Sequence, residues 1–324
     1  MHVDMSVKIG KLGLKNPVML ASGALSSNGK NILAAGERGY GAVVLKTATL
    51  EPCEGNPQPR WAFRDSFLVS ADGLPNPGYK KMAELISLVK GKGLAIPVIG
   101  SIAGSTPEEY ARMAEVLERG GADAIELNLV CPHRGKLVGG PEEEPMGEYW
   151  SRTPERAGSV IKTVKQAVKV PVWAKFPSER PVELHLLVQA MKEAGVDALV
   201  PFPGVIKGMV IDIETGKPVL GNIEGSGAVT GKAIKPMGIK TVSELCRRFN
   251  LPVIGTGGVS AGADVIEYMM AGACAVQVLT SAMKAKKEIV NNIKTEIMKY
   301  MQNKGLQNLE SIKGLSLPYL PGRL

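Results

Sequence analysis

Cys131 stands where an apolar run meets a glycine-rich segment, directly before Pro132. A free cysteine is usually a small hydrophobic residue that packs in a core. A cysteine at the end of a strand has a second use, because barrel enzymes keep their chemistry at such ends. Its thiolate can take up a proton, and nearby positive charge stabilises that thiolate. His133, Arg134 and Lys136 follow within five residues and could supply the charge, so the segment suggests a cysteine base.

Two lysines stand at comparable places in other apolar runs. Lys46 follows Gly41–Leu45, and Lys175 follows Pro171–Ala174. Burying an unpaired lysine is costly, so one interpretation is a side chain that extends to the rim of the protein. The other is a cation that faces an electron-rich ring or a phosphate. Two such lysines favour the second interpretation.

The last two apolar runs end in glycine and hydroxyl residues. One ends in Gly255-Thr256-Gly257-Gly258, and the other ends in Thr280-Ser281. Backbone amides freed by glycine, together with a helix N-terminus, bind phosphate after the seventh and eighth strands of many barrels. The alternative is two tight turns that only need glycine. Because both features follow the two expected strands, the pattern favours a phosphate site.

Eight short apolar runs position these residues, and longer stretches with helical spacing separate them. The runs are Pro17–Ser22, Gly41–Thr47, Pro97–Ala103, Ala124–Val130, Pro171–Phe176, Ala198–Pro203, Pro252–Gly258 and Ala275–Thr280. Continuous apolar character is typical of strands that are covered on both faces. Helices are predicted at Pro107–Arg119, Pro154–Val168, Glu183–Ala194, Thr241–Phe249 and Ala261–Ala271.

Eight βα units predict an α/β fold, a single closed (β/α)8 TIM barrel. The alternative is an open doubly wound sheet, which more often has five or six strands and a G-x-G-x-x-G fingerprint that does not follow the first run here. Three connections, Leu50–Tyr79, His133–Arg152 and Gly204–Pro236, are long and follow strands, so we expect them to gather on the active face. Residues 1–324 are predicted to form one domain, with 301–324 as a C-terminal tail.

The composition bounds the class of protein. The chain has 324 residues, of which 44% are hydrophobic and 22% charged, as in soluble globular proteins. Its four cysteines (Cys53, Cys131, Cys246 and Cys274) show no C-x-x-C spacing, so neither a zinc ribbon nor an iron–sulfur site is indicated. Reduced thiols, no signal-peptide core and no apolar stretch near ~20 residues predict a cytoplasmic protein without a membrane span.

The chain is basic, with a formal net charge of +8 and a pI near 9.2. Solubility alone can account for such a charge. The functional interpretations are an anionic cofactor or substrate, or a nucleic acid. Basic residues are scattered rather than clustered, so no nucleic-acid partner is expected.

A set of short motifs, taken in order, carries a family resemblance. The set is Ala21-Ser22-Gly23, Leu45-Lys46-Thr47, Gly55-Asn56-Pro57-Gln58-Pro59-Arg60, Gly73-Leu74-Pro75-Asn76-Pro77-Gly78, Asn128 with Cys131-Pro132, Lys175, Ala233-Ile234-Lys235-Pro236, Gly257-Gly258 and Ala271-Gly272-Ala273. The chain resembles the FMN-dependent dihydroorotate dehydrogenases, particularly the soluble class with a catalytic cysteine. The resemblance covers roughly residues 5 to 300.

The resemblance implies FMN across the C-terminal ends of the strands, and no metal. Cys131 would take a proton from a ring carbon while a hydride leaves the adjacent carbon for flavin N5. The implied cofactor-binding residues are Ala21, Ser22, Gly23, Lys46, Thr47, Ser101, Asn128, Lys175, Gly231, Gly257, Gly258, Thr280 and Ser281. The implied substrate-binding residues are Lys46, Ser70, Gly73, Leu74, Asn128 and His133.

The substrate side departs from the family pattern. The family holds its substrate largely through asparagines, and three of the four expected ones are absent. The replacements lie at Ser70, at His133 beside Val130, and at Phe202-Pro203-Gly204, while Ser101 departs on the cofactor side. Lost polar groups should alter the substrate, so we expect dihydroorotate or another dihydropyrimidine-like ring or cyclic acid. His133 and Arg134 favour an anion, although Arg134 could equally be a solvated loop charge.

Two alternatives remain at this point. The tRNA dihydrouridine synthases share Asn-x-x-Cys-Pro, and a basic pI fits RNA, but they lack the Ala-Ser-Gly opening and carry a helical domain that is not seen after residue 300. A flavin-free phosphate-binding lyase or isomerase leaves Cys131, Lys46 and Lys175 unexplained. Related enzymes with the cysteine pass electrons to a separate subunit or to small oxidants such as fumarate. The family also implies a homodimer.

Overall fold

A computed structural model describes residues 3–131, 145–179, 183–204, 207–285 and 288–320. The strands are β1 (Val7–Ile9), β2 (Leu12–Leu14), β3 (Val18–Leu20), β4 (Ala42–Val44), β5 (Trp61–Phe63), β6 (Leu68–Ser70), β7 (Val98–Ile102), β8 (Ala124–Asn128), β9 (Val172–Pro177), β10 (Ala198–Phe202), β11 (Lys207–Met209), β12 (Ser226–Thr230), β13 (Ile254–Thr256) and β14 (Ala275–Val278). The α-helices are α1 (Gly29–Glu37), α2 (Tyr79–Gly91), α3 (Pro107–Arg119), α4 (Pro154–Ala167), α5 (Leu184–Glu193), α6 (Lys235–Arg248), α7 (Gly262–Met270), α8 (Thr280–Ala285) and α9 (Ile289–Asn303). Short 3-10 helices lie at Ala24–Ser26, Gly147–Ser151, Lys232–Ile234, Leu309–Ile312 and Leu317–Tyr319.

Eight parallel strands form the central sheet, in the order β10-β9-β8-β7-β4-β3-β14-β13. Leu199 in β10 forms a parallel bridge with Val253, just before β13, and its N–H donates to the Pro252 carbonyl at 2.9 Å. The two end strands therefore meet, and the sheet is nearly closed into a barrel. Each predicted apolar run coincides with one of these strands, although β9 extends one residue further, to Pro177. This confirms the (β/α)8 TIM barrel.

The predicted helices are present, and one begins earlier than expected. Helix α6 begins at Lys235 rather than Thr241, because Pro236 is compatible with the first turn of a helix. A Cβ atom at Gly238 would lie 2.1 Å from the Tyr268 hydroxyl. Only glycine therefore allows α6 to approach Tyr268 so closely, although the same glycine interrupts the apolar pattern of the sequence.

Two of the long connections pair with each other. Leu50–Tyr79 contributes β5 and β6, Gly204–Pro236 contributes β11 and β12, and these strands form an antiparallel sheet in the order β11-β12-β6-β5. A small apolar cluster of Ala62, Val69, Val210 and Leu220 stabilises it. These two connections thus form one small sheet rather than two independent loops. Residues 133–144 of the third connection lie outside the described part.

The core lies inside the barrel and between the barrel and its helices. Trp173 and Phe176 of β9 are fully buried. Tyr110 and Leu117 of helix α3 belong to the same buried hydrophobic cluster. Leu309, after the last helix, also belongs to this core. Across the described residues, we find no helix with the length and apolar character to cross a membrane.

Candidate active site

A cavity of about 410 Å³ opens at the carboxyl ends of the barrel strands, beneath the small antiparallel sheet. Its volume lies in the range of small-molecule and cofactor sites. The structure brings most of the residues selected from the sequence to its lining: Ala21, Ser22, Gly23, Lys46, Thr47, Ser70, Gly73, Leu74, Asn128, Cys131, Lys175, Gly231, Gly257, Gly258, Thr280 and Ser281. His133 lies outside the described residues.

Thr47 connects four barrel strands through its hydroxyl group. Its Oγ1 lies 3.2 Å from Ser22 Oγ, 2.9 Å from Ser101 Oγ and 3.0 Å from Asn128 Nδ2, which donates to it. The Thr47 N–H also donates to Ser22 Oγ at 3.1 Å. Ser101 is buried and stands behind Thr47 rather than among the described lining residues. It therefore acts on the cavity through Thr47.

Asn128 fixes the position of Cys131. The Asn128 Nδ2 donates to Cys131 Sγ at 3.1 Å, and Oδ1 accepts from the backbone N–H groups of Val130 and Cys131, both at 3.1 Å. Tyr110 donates from its hydroxyl to the Asn128 carbonyl at 3.1 Å. The thiol is thus held at the cavity by an amide that can also stabilise its thiolate.

Burial raises the pKa of the Cys131 thiol above its ordinary value. The Asn128 hydrogen bond and the charges of Lys46 and Lys175 act in the opposite direction. The negative charge of Asp72 adds to the increase. Desolvation outweighs the hydrogen bond and the two lysine charges among the described residues.

The sequence offered three cations near the thiol as a source of positive charge. His133, Arg134 and Lys136 lie outside the described residues. Among the described residues, the positive charges that act on the thiol are those of Lys46, which follows β4, and Lys175 in β9.

Lys46 and Lys175, the two cavity lysines selected from the sequence, are both paired. Lys46 Nζ donates to Asp72 Oδ2. Lys175 Nζ lies 2.8 Å from Gln277 Oε1 and 3.5 Å from Glu126 Oε1. Gln277 Nε2 in turn donates to Glu126 Oε2, and Glu126 is fully buried in β8. A buried charge is stable only when it is paired, so this network explains how a lysine and a glutamate persist inside the barrel.

The glycine-rich end of the cavity lies after β12, β13 and β14. Gly258 has φ of +74°, and a Cβ atom there would lie 2.6 Å from Lys235 Cβ and 3.0 Å from the Gly231 carbonyl oxygen. Nearby, Thr280 Oγ1 lies 3.1 Å from Thr230 Oγ1, and Ser281 Oγ donates to the Val259 carbonyl at 2.6 Å. Backbone and hydroxyl groups therefore form this wall, as the phosphate hypothesis requires.

A family model described as dihydroorotate dehydrogenase matches residues 4–301. The chain belongs to the dihydroorotate dehydrogenase family. This confirms the resemblance seen in the sequence, and it makes the protein an oxidoreductase of a flavin-dependent family. Within the described residues, no group of three or more His, Cys, Asp or Glu side chains is arranged to hold a metal ion.

Several similar proteins share almost the full length of this dihydroorotate dehydrogenase-family chain. A protein of Methanocella arvoryzae is 40% identical over 314 residues, which cover 97% of this chain and 98% of the relative. One of Methanosarcina acetivorans is 40% identical over 306 residues, covering 94% of each chain. One of Thermococcus kodakarensis is 35% identical over 313 residues, covering 97% and 98%. All three are named dihydroorotate dehydrogenase B (NAD(+)), catalytic subunit.

Three polar residues of this site were not selected from the sequence. Asp72 and Gln277 line the cavity, and Glu126 joins the hydrogen-bond network behind it. Glu126 and Gln277 each interrupt an apolar run, and a polar residue inside such a run is a signal for a buried network. Asp72 gave no comparable signal, because its partner Lys46 lies 26 residues away and on another element.

Proposed function

We propose that this protein uses FMN to oxidise a CH–CH bond in dihydroorotate or in a related dihydropyrimidine-like ring or cyclic acid. The arrangement of Cys131 carries the proposal. Its Sγ lies 3.1 Å from Asn128 Nδ2, at a cavity that all of the implied cofactor residues except Ser101 also line. Family membership favours this function over a tRNA dihydrouridine synthase and over a flavin-free lyase or isomerase.

The residues of the cavity fit an FMN molecule. The glycine wall supports this, since Gly258 leaves space against Lys235 that a side chain would fill, and backbone groups at such a wall suit a phosphate. Ala21, Ser22 and Gly23 would meet the flavin through their backbone, and Lys175 and Asn128 would hold its polar edge. When bound, FMN accepts the hydride that leaves the substrate.

Cys131 would be the base. Its Sγ would take a proton from a ring carbon, and the Asn128 amide would hold the sulfur toward that carbon while stabilising the thiolate. Because burial raises the pKa of Cys131, the thiolate is a minor species near neutral pH. We therefore expect the rate of substrate oxidation to increase with pH through the alkaline range.

We propose that a separate electron-transfer subunit reoxidises the flavin. The names of the relatives as NAD(+)-type catalytic subunits support this proposal. The sequence also contains no C-x-x-C spacing and no dinucleotide fingerprint, so this chain offers no motif for an iron–sulfur cluster or NAD. The homodimer that the family implies stays a prediction, which light scattering on the purified chain would check.

The test is anaerobic bleaching of the bound flavin. The purified protein should be yellow, and a panel of dihydropyrimidines and cyclic acids should contain a compound that bleaches it. Cys131→Ala should retain FMN yet lose reduction by that compound, whereas Cys246→Ala, in helix α6, should behave as the parent. A colourless protein that does not take up FMN would refute the cofactor, and parent-rate reduction in the Cys131→Ala variant would refute the base.

A further inference from the structure

The Lys46–Asp72 pair gives the substrate side of the cavity an unusual charge distribution. Both side chains line the cavity, and they are 7% and 21% exposed. Asp72 Oδ2 is bound to Lys46 Nζ, but the buried Oδ1 has no hydrogen-bond partner among the described residues. The cation is therefore neutralised, and the carboxylate that lines the cavity keeps acceptor capacity that only a hydrogen-bond donor can satisfy.

The backbone around Asp72 is held by hydrogen bonds, and the ion pair with Lys46 holds the carboxylate itself. The Asn56 N–H donates to the Asp72 carbonyl at 3.1 Å, and Asn56 Nδ2 donates to the Ala71 carbonyl at 2.9 Å. On the other side, Asn76 Nδ2 donates to the Leu74 carbonyl at 2.8 Å. The asparagines of the two motifs that carry the family resemblance thus hold the segment from both ends.

Two consecutive left-handed residues aim the segment at the cavity. Gly73 has φ of +72° and Leu74 has φ of +56°, and such a value is uncommon for a residue with a side chain. A Cβ atom at Gly73 would lie 2.5 Å from the Asn56 backbone nitrogen. Strained backbone persists where the surroundings enforce it, and it often lies at functional sites.

A carboxylate on the substrate does not suit this wall. To bind Lys46, it would have to displace Asp72, which would leave a partly buried negative charge unpaired beside a second one. A substrate ring N–H avoids this cost, because it can donate to the Asp72 carboxylate, which lines the cavity, without breaking the ion pair. Val130, Phe202 and Leu74 also line the cavity, and their apolar side chains suit the uncharged remainder of such a ring.

We propose that the Lys46–Asp72 pair selects a neutral ring with an N–H donor, such as a cyclic ureide without a carboxylate, and disfavours its carboxylated counterpart. This inference rests on the proposed function and narrows its substrate class. In the family, asparagines recognise the substrate. Here an anion that accepts a hydrogen bond from a ring N–H would take over that role.

The experiment compares two rings that differ only in the carboxylate. Uracil and orotate are titrated into the FMN-loaded protein, and binding is followed by the change in the oxidised flavin spectrum. Their 5,6-dihydro forms are then tested for anaerobic bleaching. Asp72→Asn is measured beside Asp197→Asn, a control that removes a carboxylate paired with Lys165 at 2.6 Å, outside the cavity.

We expect the parent and the control to prefer the neutral ring by at least about tenfold in both measurements. Asp72→Asn should reduce that preference by about 10- to 100-fold, since an unpaired buried partner commonly costs that much. The preference of the parent is itself a test, so the inference does not depend on how well the variant folds.

The outcomes separate the two proposals. If orotate binds more tightly than uracil, or dihydroorotate bleaches the parent flavin faster, the proposed function stands and the selectivity inference is overturned. An unchanged preference in a folded Asp72→Asn variant also overturns it. If neither oxidised ring alters the spectrum and neither reduced ring bleaches a flavin that dithionite reduces, the inference is overturned. The proposed function is refuted only if the whole panel of dihydropyrimidines and cyclic acids also fails to bleach the flavin.

Discussion

Replacing Asn128 by Asp tests whether Cys131 is the proton acceptor, because it changes the charge beside the thiol while nearly preserving shape. In the parent, Asn128 Nδ2 lies 3.1 Å from Cys131 Sγ. The variant places a carboxylate oxygen there and removes the donor. A second negative charge disfavours the thiolate, so the pKa of Cys131, already raised by burial, should increase further.

The size of the increase follows from the distance. Two unit charges 3.1 Å apart repel by about 1 kcal/mol at the dielectric constant of water and by about 5 kcal/mol at an effective value of about 20. These energies correspond to about one and about four pKa units. Asn128→Ala only removes the hydrogen bond, a loss of roughly 1.5 to 3 kcal/mol for a charged acceptor. The pKa should therefore rise from the parent to Asn128→Ala to Asn128→Asp.

The assay is alkylation of Cys131 by iodoacetamide as a function of pH in the FMN-loaded proteins, with the labelled peptide quantified by mass spectrometry. Below the pKa, the rate should decrease about tenfold for each pH unit in every protein. The rate of anaerobic flavin reduction by the bleaching compound should shift along the pH axis by the same amount. A thiol pKa in Asn128→Asp equal to that of the parent would refute the electrostatic argument. A pH dependence of flavin reduction that does not shift with the thiol pKa would refute Cys131 as the base.

Other predictions concern how the barrel holds the flavin. Lys175→Met should lower the flavin reduction potential, because a nearby cation favours the electron-rich reduced form. Glu126→Gln should raise the potential, because it frees the charge of Lys175. Spectroelectrochemical titration measures both potentials, and values equal to that of the parent would contradict a contact between Lys175 and the flavin. Gly258→Ala should weaken FMN binding about 5- to 30-fold, since a left-handed residue with a side chain costs about 1 to 2 kcal/mol. Gly13→Ala, which meets no atom within 4 Å, is its matched control in a fluorescence titration with FMN.

Local patterns in the sequence were sufficient for the barrel and for part of the site. Strands buried on both faces need continuous apolar runs, so the alternation of such runs with helical stretches specified the fold. The motif from Asn128 to Cys131 was readable for a similar reason. Its hydrogen bonds join residues at most three positions apart, and their geometry depends mainly on the local backbone.

Interactions between distant segments were not readable in this way. The two longest connections were predicted as loops, but β6 and β12 pair across them, with Val69 opposite Val229. Short strands of mixed polarity have weak signals, because each is stabilised by its partner rather than by its own pattern. The start of helix α6 was missed for a similar reason, because the close contact of Gly238 with Tyr268 exists only once the helices pack.

The sequence by itself determined the barrel, the glycine wall after its last two strands, and a cysteine poised at a strand end. Only the tertiary structure decided what surrounds that cysteine. It joins Lys175 to Gln277 across 102 positions and Lys46 to Asp72 across 26, and it buries the thiol enough to raise its pKa. Charge pairing and desolvation depend on distances in space, and the order of residues along the chain does not encode those distances in any short segment.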